Sequence, residues 1–199
     1  MPVASAEAWT GEVTRLLRAA REGDAGAIDR IIPLVYEDLR RVARRQLGRG
    51  FGPHTVRATE LVHEAYAKLA IGGAEAATDR AHFLAIAARA MRQVLIDEAR
   101  HRQAAKHGGG WKSTTLSGGH WVADVDVDEL LTLNSALDEL APRQRDVVEC
   151  RFFGGMEEHE IAQALGVTER TVRRDWVKAR AWLYRALAER GSPDILPEP

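Results

Sequence analysis

The chain has 199 residues, a hydrophobic fraction of 45% and a formal net charge of −1, which fits one large or two small globular domains and excludes disorder throughout. Its apolar runs are short and broken by charges, so no segment is predicted to span a bilayer, and residues 1–10 lack the features of a secretory signal. The one cysteine, Cys150, excludes an internal disulfide and is predicted to be a small core residue, so we expect a protein of the reducing cytoplasm.

The near-neutral net charge conceals charged blocks along the chain. Residues 40–57 hold six arginines and no acid, and residues 113–142 hold acids but no Lys or Arg. Residues 168–190 hold seven basic residues against three acids. Basic blocks of this kind are typical of surfaces that bind nucleic acid, which the net charge alone does not indicate.

Helical periodicity dominates the first half of the chain, and we predict helices over residues 8–21, 25–48, 59–70 and 80–105. Thr59 is the predicted N-cap of the third helix, where Glu60, Glu64 and Lys68 lie opposite the apolar side. Taken alone, this pattern also fits an ordinary amphipathic helix whose carboxylates face only water.

Asp79 is the predicted N-cap of the fourth helix, whose core stripe consists of Phe83, Ala87, Ala90, Met91 and Val94. The other side carries Arg89, Arg92, Gln93 and Arg100, and His101, Arg102 and Lys106 follow toward the end of the helix. Such a surface suits a nucleic-acid backbone, because each cation displaces condensed counterions. A solvated basic face is the equally weighted alternative.

Residues 107–127 differ from the rest of the chain in composition. Five glycines occur there with Ser and Thr between them, and Asp124 and Asp126 lie near the end. This composition predicts a flexible linker between two helical domains.

After Pro142 the sequence predicts a helix that ends at Gly154-Gly155. A short helix with Ile161, Ala162 and Leu165 on one face follows. A turn at residues 166–168 then leads into a longer helix. This order is the helix-turn-helix plan. Thr168 is the predicted N-cap of the longer helix, whereas Glu157 is a poor residue for the cap of the short one.

The longer helix is predicted to bury one stripe, formed by Val172, Trp176, Ala179, Leu183 and Ala186. Arg170, Arg174 and Lys178 lie roughly opposite, with Arg173 and Arg180 beside them. A helix of this kind fits the major groove of DNA, where Arg pairs with guanine and Thr171 reaches a base edge. Thr168 and the later cations are better placed for phosphate.

Four motifs in this order resemble those of RNA polymerase sigma factors of the extracytoplasmic-function (ECF) group, the smallest sigma-70 type. They are ATELVHEAY (58–66), HFLAIAARAMR (82–92), RFFGG (151–155) and GVTERTVRRDW (166–176). The resemblance covers about residues 8–190. It implies an all-α fold with a region 2-like four-helix bundle (8–106) and a region 4-like helix-turn-helix domain (128–190), joined by the linker.

The resemblance also implies roles for particular residues. The third helix would dock on core RNA polymerase through Glu60, Leu61, Glu64 and Tyr66. The fourth helix, with the loop 71–80, would recognise and melt the −10 element through Arg89, Arg92, Gln93, Arg100 and Arg102. The −35 element would be read by Thr168, Arg170, Thr171, Arg173, Arg174 and Lys178. The linker acids, with Asp128, would repel nucleic acid from the passage toward the polymerase active centre.

The chain departs from the commoner pattern of the group in two places. The docking helix lacks the acidic pair that many relatives carry beside Leu61, and the fourth helix has Phe83 but no tryptophan near it. These departures concern individual contacts more than the role of the domain.

The alternatives are a stand-alone helix-turn-helix regulator of the response-regulator output type, an enzyme, and an anti-sigma decoy. A receiver domain would show alternating strands, which the first 106 residues lack, and a decoy needs no basic recognition helix. Phosphate loops, catalytic triads and metal-ligand spacings are not found, so we expect no enzyme, cofactor or metal. An anti-sigma factor, a Ser/Thr kinase, control of expression and direct packing of the two domains are open alternatives for a switch.

Overall fold

A computed structural model describes residues 6–24, 26–47, 54–70, 76–106 and 127–191. The N-terminal block consists of α1 (Ala6–Arg21), α2 (Ala27–Gln46), α3 (His54–Ala70) and α4 (Arg80–Lys106). The C-terminal block consists of α5 (Val127–Asp138), α6 (Pro142–Val148), a π-helical turn (Glu149–Phe153), α7 (Glu158–Leu165) and α8 (Glu169–Glu189). No strand occurs in these ranges, so the predicted all-α fold is confirmed.

The core of the N-terminal block lies between its four helices. The inward side chains of each helix recur at intervals of three and four residues, as an amphipathic helix requires. The buried set includes Val13, Leu17, Ile31, Val35, Leu39, Leu61, Val62, Phe83 and Met91. None of the described helices is long and apolar enough to cross a membrane.

Two helix starts in this block can be compared with the prediction. The Asp79 side chain accepts a hydrogen bond from the His82 backbone N–H at 3.0 Å, so the predicted cap of α4 is confirmed. The predicted cap of α3 is wrong, because the helix begins at His54 and Thr59 lies inside it. The β-branched Thr55 and Val56, which have low helix propensity, obscured this start in the sequence.

The C-terminal block has its own core, in which α5, α6 and α8 meet. Leu133, Leu137, Val148, Leu183 and Leu187 are among its buried residues. Pro142 occupies the first turn of α6, and the helical segment, including the π-turn that follows α6, ends at Gly154 as predicted. The last turn widens into a π-helical turn, in which the Gly154 N–H donates to the Glu149 carbonyl at 2.9 Å. The sequence pattern did not predict this π-turn.

A buried carboxylate fastens α8 to α6. Asp175 is only 3% exposed, although its position in a basic helix predicts a solvated acid. It accepts hydrogen bonds from Arg143 of α6 and from Arg174 beside it. The bond from Arg143 is the main cause of the lowered pKa of Asp175. The pair therefore holds the orientation of α8 within its own block.

The two blocks pack directly against each other, with α4 between them. Ala81 and Ala85 of α4 share an apolar cluster with residues of α6, the π-turn, α7 and α8, namely Val147, Cys150, Met156, Ile161, Ala162 and Val172. Gly155 adopts φ 64°, and a Cβ there would collide with the Arg45 guanidinium of α2. Direct packing of the domains, left open by the sequence, is therefore present in this structure.

This packing corrects the interpretation of α4 as a helix with one free basic side. Arg92 is 5% exposed, and the Leu95, Ile96 and Ala99 side chains are buried as well. One side of α4 packs in the N-terminal core, and another side packs against the C-terminal block, so the helix is buried on two sides. The predicted linker (107–127) lies outside the described residues except for Val127, the first residue of α5.

We expect Arg143→Ala to lower the free energy of unfolding by more than the loss of an exposed ion pair does, because the buried Asp175 carboxylate then keeps only its weaker contact with Arg174. Urea denaturation of the full chain, followed by tryptophan fluorescence, measures the change. The control is Arg190→Ala, which removes the exposed ion pair with Glu139 and should cost less than about 1 kcal/mol. Equal losses in the two variants would contradict the role of Asp175.

The lowered pKa of Asp175 also predicts a pH dependence. A carboxylate whose pKa is lowered by folding stabilises the fold above its ordinary pKa of about 3.9, and this contribution is lost as the pH falls through the lowered value. The wild-type chain should therefore lose stability more steeply below about pH 4 than Asp175→Asn does. Denaturation curves between pH 3 and pH 7 provide the comparison, and parallel profiles would contradict the assignment.

Candidate nucleic-acid interface

The helix-turn-helix unit has the predicted geometry. Gly166 ends α7 with φ 63°, a conformation in which glycine is strongly preferred. The Val167 N–H donates to the Ala162 carbonyl at 3.0 Å, which tightens the turn. The Thr168 hydroxyl accepts a hydrogen bond from the Thr171 N–H at 3.2 Å, so the predicted cap of α8 is confirmed.

The start of α7 is better capped than its sequence suggested. Glu157 occupies the cap position, and its backbone N–H donates to the Glu160 carboxylate at 2.9 Å. The acid three residues into the helix thus satisfies one of the free backbone donors at this end. The prediction of a poor cap judged Glu157 alone and overlooked Glu160.

The apolar stripe of α8 faces inward, as predicted. Val172, Ala179, Leu183 and Ala186 are buried, and the half-buried Trp176 lies between the two apolar clusters of the block. The opposite side carries the residues expected to meet the −35 element. Arg170, Arg173, Arg174, Lys178 and Thr168 are exposed, and Thr171 is half-buried. This side therefore presents four cations within the first half of α8.

A carboxylate of α7 holds one of these cations. Arg173 donates from both Nε and Nη2 to Glu158, at 3.2 and 2.8 Å. Arg151 donates to the other oxygen of Glu158 at 3.0 Å, and its guanidinium lies over the Trp176 ring at 4.8 Å from the centroid. The bonds from the two arginines lower the pKa of Glu158. Glu158 thereby orients Arg173, a contact that the separate helical patterns of α7 and α8 did not predict.

Val177 is the second residue on this surface that sequence patterning missed. Among the described residues, it is the one large hydrophobic side chain that is exposed, with 60% of its area accessible to solvent. It follows Arg173 and Arg174 by four and three residues, so it lies on their side of the helix. An apolar side chain at this point suits the methyl group of thymine.

The residues expected to meet the −10 element fall into two groups. Arg89 and Arg92 contact the C-terminal block, where Arg89 Nε lies 2.8 Å from Glu149. Gln93 and Arg100 are exposed, and Gln93 donates to Asp97 at 2.7 Å. Arg102 lies in α4, but its side chain and residues 71–75 of the preceding loop are outside the described part.

The residues expected to dock on the polymerase lie along α3, whose main neighbours are α2 and α4. Glu60 and Glu64 are half-buried at its surface. Tyr66 is also half-buried and donates to Asp29 of α2, a bond that raises its pKa. Leu61 is fully buried in the N-terminal core, where it supports the helix and offers no surface to a partner.

Of the linker acids, Asp124 and Asp126 lie outside the described residues. Asp128 lies in the first turn of α5 and accepts a hydrogen bond from Gln103 of α4 at 3.4 Å. Within the described ranges, no cluster of three or more His, Cys, Asp or Glu side chains is placed to hold a metal ion.

Comparison with known proteins identifies the family. The profile described as ECF sigma factor matches residues 10–189. The chain belongs to the ECF sigma factor family.

A comparison with curated protein sequences gives no match. Among solved structures, a chain from the structure of CnrH in complex with the cytosolic domain of CnrY is similar at 22% identity and a TM-score of 0.39. The alignment covers 89% of this chain and 98% of that chain. At this TM-score the comparison has no bearing on the residues described above.

For this ECF sigma factor we expect Glu158→Gln to loosen Arg173, which raises affinity for any duplex and lowers discrimination. The ratio of specific to non-specific affinity should fall by about fivefold or more, the loss expected when a base contact worth about 1 kcal/mol or more is no longer held in place. Duplexes selected by the wild-type chain from a random pool supply the specific target. The control is Glu157→Gln, a neighbouring exposed acid without a bond to Arg173, and an equal effect there would contradict the positioning role.

Proposed function

We propose that this chain is a sigma factor that binds core RNA polymerase and directs transcription from promoters with −35 and −10 elements. The main support is the exposed cationic side of α8, carried by a capped helix-turn-helix. ECF sigma factors are transcription initiation factors and not enzymes, so no catalytic residue is proposed. We further propose a region 2-like domain (8–106), a linker (107–127) and a region 4-like domain (128–190).

In this proposal the first half of α8 enters the major groove of the −35 element. Its N-terminal residues lie nearest the bases, so Arg170, Arg173 and Arg174 read them, while Thr168 and Lys178 hold phosphates. The Asp175–Arg143 pair supports this assignment, because it fixes the rotation of α8 and leaves these side chains outward. Val177 adds an apolar contact on the same side.

The N-terminal domain has the other two roles. Glu60, Glu64 and Tyr66 of α3 would meet the polymerase, since that helix lies against the N-terminal core on one side only. The basic residues of α4 would hold the melted −10 strand. This role requires that Arg89 and Arg92 leave the carboxylates that they bind in this structure.

The proposal is tested by transcription in vitro with purified core polymerase and pooled genomic fragments of the same bacterium. The expected transcripts begin at a fixed distance from two shared motifs and are absent without the protein. Binding to duplex DNA without binding to core would instead favour the stand-alone regulator. An anti-sigma partner or a kinase is a further proposal, testable by purification of the factor with its bound proteins.

Arg174→Ala should weaken binding to the selected −35 duplex by about 1–3 kcal/mol while core binding stays intact. The matched control is Arg185→Ala, another exposed arginine of α8, which lies about 16 Å further along the helix axis. Fluorescence anisotropy measures duplex binding. Loss of core binding in Arg174→Ala would contradict the role assigned to α8.

Glu64→Lys should lower affinity for core polymerase without unfolding the chain, because the reversed charge lies at the surface of α3. Circular dichroism checks the fold, and competition with another sigma factor for labelled core measures the affinity. An unchanged affinity would remove Glu64 from the docking surface.

A further inference from the structure

A groove of about 420 Å³ runs along the second half of α8, where this helix faces the turn between α5 and α6. Leu140 of the turn and the half-buried Trp182 of α8 are apolar members of its lining. Lys178 and Arg185 of α8 are the basic members. The groove therefore combines an apolar surface with two cations.

The two cations of the groove are available to an acidic partner. Lys178 and Arg185 are exposed, and within the described ranges neither pairs with an acid. Glu139, the acid that lines the groove, pairs with Arg190 at the end of α8. Residues seven apart lie on one side of a helix, so Lys178 and Arg185 point to the same side. An extended segment with two acids at a similar spacing would match them.

The chain leaves α8 through a left-handed glycine. Gly191 has φ 77°, and its N–H donates to the Ala188 carbonyl at 3.1 Å. A left-handed residue directly after a helix is a common cap, and it turns the chain off the helix axis. Pro193 comes next but one, and proline does not continue a helix. The Arg190–Glu139 pair places this exit beside the α5–α6 turn, at one end of the groove.

The residues that follow have a composition suited to this groove. Residues 192–199, which we call the tail, have the sequence SPDILPEP and lie outside the described residues. Asp194 and Glu198 are acids, and Ile195 and Leu196 between them are apolar. Proline-rich segments favour extended backbone. The tail thus offers an acid, an apolar pair and a second acid in order along one extended segment.

Distances along α8 set the spacing that a partner must match. Each residue of an α-helix advances the axis by about 1.5 Å. Counted back from the capping glycine, Arg185 lies at about 9 Å, Trp182 at about 14 Å and Lys178 at about 20 Å. A segment that turns back along α8 therefore meets a cation, an aromatic ring and a second cation in that order.

The tail has the matching spacing. An extended, proline-rich chain advances by about 3.1 Å per residue. From the same glycine it reaches Asp194 at about 9 Å, the Ile195–Leu196 pair at about 12–16 Å and Glu198 at about 22 Å. The two acids therefore come opposite the two cations, and the apolar pair comes opposite the aromatic ring.

We propose that this groove is the docking site of the tail of the same chain, which lies antiparallel to α8 with Asp194 on Arg185 and Glu198 on Lys178. Its consequence for DNA rests on the function proposed above, in which Lys178 holds a phosphate of the −35 element. The carboxylate of the tail and the phosphate of DNA then compete for one ammonium group. Full contact of α8 with DNA therefore requires Glu198 to leave Lys178.

Docking is tested without DNA, by nitroxide labelling of the full chain at Pro199→Cys. The introduced thiol is labelled selectively, because Cys150 is buried and desolvation raises its pKa to about 12. In amide NMR spectra we expect the label to broaden the signals of Gln144 and Lys178, which line the groove, and to spare that of Leu61 in the N-terminal core. The matched control carries the tail residues in shuffled order, with the two acids adjacent to each other, and should lose this broadening.

Competition with DNA is tested with two variants, by fluorescence anisotropy on the selected −35 duplex. Asp194→Asn/Glu198→Gln removes the acids of the tail, whereas the shuffled tail keeps the net charge of the wild-type chain. Both should bind the duplex about threefold more tightly or better, since apparent affinity rises with the fraction of chains whose tail is undocked. Lys178→Ala should weaken binding more in the shuffled-tail chain than in the wild-type chain, where the tail already occupies Lys178.

Equal broadening with the wild-type and shuffled tails, or none with either, would overturn the docking. Broadening only between separate chains, in a mixture of spin-labelled and isotope-labelled protein, would place the tail on a second copy and overturn it as well. Unchanged duplex affinity in both variants, or a gain confined to Asp194→Asn/Glu198→Gln, would overturn the competition for Lys178. The function proposed above fails differently, through the absence of core-dependent transcripts, which does not affect docking measured without DNA.

Discussion

The ion pair between Arg92 and Glu149 governs how the two halves of the protein sit together. Both side chains are almost fully withdrawn from water, and each has its nearest opposite charge in the other block, since Arg145 of α6 lies farther from Glu149, at 3.6 Å. In the packed arrangement, each of the two charged groups has lost its hydration and depends on the other for compensation. The pair therefore requires the correct register of α4 against the π-turn, since a shift would leave the buried Arg92 without its carboxylate.

That requirement explains features that otherwise look unrelated. The π-turn shifts the direction of the backbone after α6, so that Glu149 and Phe153 both meet α4. Gly155 has no side chain, which leaves room for Arg45 of α2. Two residues of the RFFGG motif, Phe153 and Gly155, thus contribute to the contact between the blocks.

The two surfaces that we propose to bind nucleic acid differ in the contacts that hold their side chains. The recognition side of α8 depends on contacts inside its own block, namely Asp175 with Arg143 and Glu158 with Arg173. The contacts that position its side chains therefore lie within the C-terminal block. On α4, by contrast, Arg92 is buried against the C-terminal block, whereas Arg89 is half exposed and Gln93 and Arg100 are exposed.

The sequence by itself determined the helices, the helix-turn-helix with its Gly166 turn and Thr168 cap, and the family, because these depend on local periodicity, capping and motifs. It also predicted the outward cations of α8, since one amphipathic helix defines both of its sides. The tertiary structure alone decided the burial of Arg92, the pairing of Glu149 across 57 residues of chain and the burial of Asp175. Those outcomes depend on which helix a polar face meets, and hydrophobic periodicity does not encode a polar partner that is distant along the chain.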